Sequence, residues 1–106
     1  MASKKKHVKN GPIAEKMYWD VTDKNDNMLV PWYLMAAYAY YVEDDPILED
    51  VTFDKMANKL KDHWSEVEHM HKHLISLDML NAGTYIGEYP NMVKGAVQDI
   101  RNTVNG

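Results

Sequence analysis

The feature that most constrains this chain is an acidic break between two apolar runs, Glu43-Asp44-Asp45-Pro46 followed by Ile47-Leu48-Glu49-Asp50. Proline cannot extend a helix and disfavours helical backbone in the residue before it, so any helix entering the break closes around Glu43 to Asp45. From Pro31 to about Val42 the chain is apolar on nearly every side, as in a helix lying in the middle of a domain or against a partner. Pro31 fits its first turn, where a missing amide proton does no harm. Beyond the break, Phe53, Met56, Ala57, Leu60, Trp64 and Val67 recur at three- and four-residue spacing. That spacing predicts a second helix from Val51 to about His69, with Asp50 as its N-cap. Helices joined by so short a connection pack antiparallel, which gathers Tyr40, Tyr41, Asp50, Phe53 and Asp54 near the bend.

The run Tyr-Tyr-Val-x-Asp-Asp-Pro-x-x-x-Asp-x-x-Phe-Asp, followed by Leu60, resembles the N-terminal helical hairpin of bacterial NAD-dependent DNA ligases. The resemblance covers roughly residues 37–60. It implies recognition of the nicotinamide mononucleotide half of NAD, with Tyr40, Tyr41, Asp50, Phe53 and Asp54 as the binding positions. Two positions depart from the family: Tyr41 stands where it usually has His, and Phe53 where it has Tyr. The ligase nucleophile motif Lys-x-Asp-Gly does not occur, since Lys94 is followed at once by Gly95 and no other lysine has the right neighbours. Without that lysine no covalent adenylate forms by the family's route, so the chain by itself is not expected to be a ligase.

The rest of the chain adds a modest frame. Its 106 residues suit one small domain. Residues 1–12 read as a flexible basic arm with Lys4, Lys5, Lys6, His7 and Lys9, and residues 13–106 as a single helical domain. Ile13 to Asp20 satisfies neither the helical nor the strand period cleanly and fits a short helix or an extended segment. Asp23 to Asn27 is a polar turn cluster; its acids lack the glycine and distal glutamate of a calcium loop. Ser76 to Gly83 has the marks of a short helix with Ser76 as N-cap, and the Gly83 to Pro90 loop is expected to pack tyrosines. Met92, Val93, Ala96, Val97, Ile100 and Val104 define a final amphipathic helix. The architecture expected is an all-α, single-domain bundle of three main helices, with an antiparallel hairpin and short extra helical turns.

Composition narrows the function classes. With no cysteine there are no disulfides, thiolate metal sites or cysteine nucleophiles. No apolar run approaches a membrane span, so a soluble cytoplasmic protein is expected. A net charge of −4 argues against a general grip on nucleic acid, leaving the basic arm as the place where such contact would occur. His69, His71 and His73 would share one side of an extended segment, which makes them candidate metal ligands; a helix through them would point successive rings apart. Histidines there also suit helix-end carbonyls.

Three functions follow as expectations. The first is a non-catalytic binding module for a nicotinamide nucleotide, NAD or nicotinamide mononucleotide, accessory to DNA metabolism. The second is an acidic protein–protein adaptor using its tyrosine, tryptophan and methionine surface, of the kind a virus encodes and places in the host cytoplasm. The third is a metal-dependent enzyme built on Glu66, Glu68 and the histidines.

Overall fold

The computed structural model describes residues 11–82, 85 and 87–105, and all regular structure among them is helical. Helix α1 spans Gly11–Lys24 and is followed by a 3-10 turn at Asp26–Met28. Helix α2 spans Leu29–Ala37 and runs directly into a π-helical turn at Tyr38–Val42. Helix α3 is Asp50–Asp62, α4 is Leu77–Ala82 and α5 is Asn91–Asn105, with a second 3-10 turn at Lys72–Leu74. The all-α class read from the sequence holds. The basic arm lies outside the described residues except for Gly11 and Pro12, which begin α1, and the Gly83 stop lies outside them too.

α2 is the centre of the core, as its all-round apolarity requires: Leu29, Val30 and Trp32 to Ala37 are all buried. α1 lies against it through Tyr18, whose ring meets Trp32 edge-on at 5.7 Å. α3 packs on it through Phe53, 5.0 Å from the Tyr33 ring, and α5 contributes Val93, Val97 and Ile100. These last recur at helical spacing, as predicted. Ser76 caps α4, its Oγ accepting the Met79 N–H at 3.2 Å.

Three local expectations change. The segment left open between helix and extended backbone is a full helix, because its buried stripe is Ala14, Tyr18 and Thr22, one turn apart. Two of those three are not large apolar residues, so a hydrophobic count passes over them. Thr22 is accommodated in the core by donating its hydroxyl to the Tyr18 carbonyl at 2.7 Å. Secondly, Asp50 is the first helical residue of α3 and not its N-cap. Glu49 holds the cap position in extended backbone, without a side-chain cap of its own. The cap comes from α1: Glu15 accepts the Glu49 N–H at 2.9 Å and the hydroxyl of buried Thr52. A carboxylate at a helix N-terminus satisfies orphan amides and complements the helix dipole.

Thirdly, α3 ends at Asp62 rather than near His69. Val67 is buried as the spacing implied, but a tight turn brings it there, with Glu66 and Val67 N–H both directed at the His63 carbonyl. The α1–α2 connection catches this end. Lys59 lies 3.8 Å from Asp23 and 3.7 Å from Asp26, and the Asn27 amide oxygen accepts the Glu68 N–H at 2.8 Å.

Candidate functional site

The bend between α2 and α3 is built from three devices. The first is the π turn over Tyr38–Val42, closed by the Glu43 N–H on the Tyr38 carbonyl at 3.2 Å, a five-residue span. Such turns are rare and concentrate at functional sites. Here it sets the Tyr40 and Tyr41 rings edge to face, 5.0 Å apart. The second is a left-handed residue, Asp44 at φ 53°, which reverses the chain. Aspartate tolerates that conformation better than most residues. The Asp45 N–H then reaches the Ala39 carbonyl at 2.9 Å, one residue wider than the usual helix-ending bond, as the π winding demands.

The third device is Arg101 of α5. Its Nε and Nη2 donate to Glu43 Oε1 at 3.0 and 2.9 Å, its Nη1 to Asp45 Oδ2 at 3.1 Å, and Nη2 also to the Asp45 carbonyl. The guanidinium side chain is only 11% exposed. A planar fork of donors suits two carboxylates and a carbonyl on one turn, and it removes the repulsion that would otherwise open an acidic bend. Reading the sequence singled out the acids but not this arginine, and a lone basic residue on α5 carries no signal of its partner.

The five positions inferred from the ligase resemblance divide on this frame. Tyr41 is 42% exposed, Tyr40 and Asp50 beside it are half-buried, and Asp54 is exposed one turn further along α3. Burial raises the Tyr40 phenol above its ordinary range, and the Asp50 carboxylate and Tyr41 add to it. Asp50 and Tyr40 therefore sit in each other's field. Phe53 differs: it is 0% exposed and lies against Tyr33, so its ring holds α2 and α3 together from inside.

Further tyrosines back the corner. Tyr89 meets Tyr38 at 5.2 Å and Tyr85 at 4.9 Å, so the Gly83 to Pro90 loop packs tyrosines as expected. Burial, with Tyr41 and Tyr89 adding to it, pushes the Tyr33 phenol well up; burial, Tyr85 and Tyr41 push Tyr89 up to about 12. Gly87 is required for this packing, because a Cβ there would stand 2.6 Å from the Tyr85 hydroxyl. The phenol of Tyr85 in turn donates to the Glu88 carbonyl.

The histidines do not gather as an extended segment would gather them. His69 and His71 lie with ring centroids 5.4 Å apart, the His71 N–H donating to His69 Nδ1 at 3.1 Å, while His73 is exposed in the following 3-10 turn. Burial and the neighbouring His71 lower the His69 pKa. Among the described residues no group of three histidine, cysteine or acidic side chains is placed to hold a metal ion. Nor is any helix among them long and apolar enough to cross a membrane.

Residues 33–79 match the family model of the DNA ligase-like, N-terminal NAD+-binding domain. The matched segment takes in the second half of α2, the bend, α3 and the histidine stretch, and reaches into α4. No curated protein matches the chain, and no solved structure does.

Proposed function

From a hairpin of the ligase-type NAD+-binding family, we propose that this chain is a non-catalytic module that binds the nicotinamide end of NAD or nicotinamide mononucleotide at the α2–α3 corner. The observation that carries the reading is the coincidence of the family segment with a corner of two tyrosine rings and two reachable carboxylates. An oxidised nicotinamide is flat and cationic. Tyr40 and Tyr41 offer it ring faces, and Asp50 and Asp54 offer compensating charge. Phe53 packs on Tyr33 in the core rather than touching the ligand. The Arg101 clamp holds the bend in shape before the ligand arrives, which lowers the ordering cost of binding. Since Lys-x-Asp-Gly is missing, the role proposed is recognition in the service of DNA metabolism, with adenylyl transfer left to another module.

Titration with NAD and with oxidised and reduced nicotinamide mononucleotide, followed by calorimetry, tests this. Saturation by the oxidised forms, weaker binding of the reduced ring, and roughly fivefold loss in Asp54→Ala are expected, since an exposed charge–charge contact contributes about 1 kcal/mol. Absence of saturation at millimolar ligand sinks the reading. One observation supports a second reading in that event: Tyr41, Val42 and Val51 form exposed apolar positions around the same bend, as a protein-binding adaptor would present.

A further inference from the structure

Sharing no lining residue with the corner, α2, α5 and the histidine turn enclose a cleft of about 200 Å³ whose walls include Met28, Pro31, Met35, Met92, His69 and His71. Three of the eight methionines of the chain meet there. The two imidazoles are not equivalent. His69 Nδ1 accepts the His71 N–H, so its proton in the neutral ring sits on Nε2 and neither nitrogen offers a lone pair. His71 Nε2, by contrast, is buried without a hydrogen-bond partner in the protein. Buried polar atoms are normally satisfied, and one that is not calls for an explanation.

We propose that this cleft is a binding site for a soft monovalent metal ion, Cu(I) or Ag(I), with His71 Nε2 and the thioethers of Met28, Met35 and Met92 as its donors. Thioether sulfur and neutral imidazole are the ligand types that favour Cu(I), whereas Mg(II) and Ca(II) require oxygen donors and structural Zn(II) sites use thiolates and several histidines. The cleft walls hold no carboxylate. A singly charged ion is also the cation least penalised by entering an apolar cleft, because the cost of desolvation rises steeply with charge. Methionine's unbranched side chain lets each sulfur turn towards an occupant without moving the helices. The alternative is that the three methionines are packing material only, and the two readings separate cleanly in solution.

Protein carrying ¹³C-methyl methionine, titrated with silver nitrate, is expected to saturate near one equivalent, with the Met28, Met35 and Met92 methyls and His71 Nε2 shifting together. The Met56, Met70 and Met79 methyls should stay in place. Competition against a Cu(I) chelator in the absence of oxygen should give the same site, and Met92→Leu and His71→Leu should each weaken it at least tenfold. Met92 is 64% exposed, so its conservative replacement leaves the fold intact. Equal occupancy of Met70, failure to saturate, or wild-type affinity in Met92→Leu with helicity unchanged would overturn the assignment.

Discussion

Two connections in this molecule leave helices at points rich in charge and differ in how much they draw on side chains from distant helices. The bend after α2, Glu43 to Glu49, is fixed from outside by Arg101 of α5 on one flank and Glu15 of α1 on the other, through charge-assisted bonds to both carboxylate and backbone. The turn after α3, His63 to Ile75, relies on its own backbone, on the Asn27 amide oxygen at Glu68, and on Lys72 standing 4.8 Å over the Trp64 ring. The first takes its side-chain restraints from distant helices, and neither Asp50 nor Asp54, in the opening turns of α3, is spent on holding it.

The largest effect should come from removing the clamp. Arg101→Met keeps the buried stem but leaves Glu43 and Asp45 facing each other, at a cost of about 2–3 kcal/mol. The full value for a buried pair is reduced because the two acid side chains are 29% and 41% exposed. The urea midpoint measures the loss, and adding Asp45→Asn should recover part of it. A midpoint shift under about 0.5 kcal/mol, the size of an ordinary surface pair, would mean that the bend holds itself.

Glu15→Ala ranks next, at about 1–2 kcal/mol, since it uncaps α3 and strands the buried Thr52 hydroxyl. Thr52→Val in the same chain should restore the hydroxyl's share while the cap's share stays lost. Additive losses in that pair would show that Glu15 and Thr52 act independently, against the geometry.

How much of this contrast could be read beforehand follows from where each restraint is encoded. The first bend was legible as a bend because proline and consecutive acids act locally, within the residues that carry them. Its corner tyrosines and acids were legible for the same reason. Arg101 and Glu15 were not: each lies more than thirty positions from its partner, and one charge on an amphipathic helix looks like any other solvated residue. The second turn was misread for the converse reason. From Leu60 to Val67 no proline or glycine interrupts the helical spacing, and the tight turn in which Glu66 and Val67 both donate to the His63 carbonyl is announced by no residue type in the stretch. Phe53 shows a finer limit, because a ring at helical spacing between Asp50 and Asp54 gives no sign of which way it points.

Alkaline pH offers a third probe that acts on one side of the comparison. Tyr89 is pushed up to about 12 by burial first and by neighbouring phenols second, against an ordinary 10.0. Its folded pKa is raised, so its contribution is whole below pH 10 and is lost as pH climbs from 10 towards 12. By pH 10.5 the loss reaches about 0.8 kcal/mol. Tyr89→Phe should flatten that limb of the stability curve, and amides of the π turn, against which Tyr89 packs through Tyr38, should lose exchange protection before those of His63 to Ile75.

The smallest expected effect tests the self-supporting turn. Asn27→Ala removes the acceptor for the Glu68 N–H and the backbone donation from Asn27 N to Asn25 Oδ1 is left in place. Because Glu68 is exposed, water replaces the lost acceptor, and the cost should be about 0.5–1 kcal/mol in global stability. Its distribution is the sharper readout. Exchange protection should fall from Glu66 to His69, where the lost bond lies, and stay unchanged at Glu43 to Glu49. A fall of equal size at both connections would mean that they open as one unit, and that the division of labour between borrowed and local restraints does not exist.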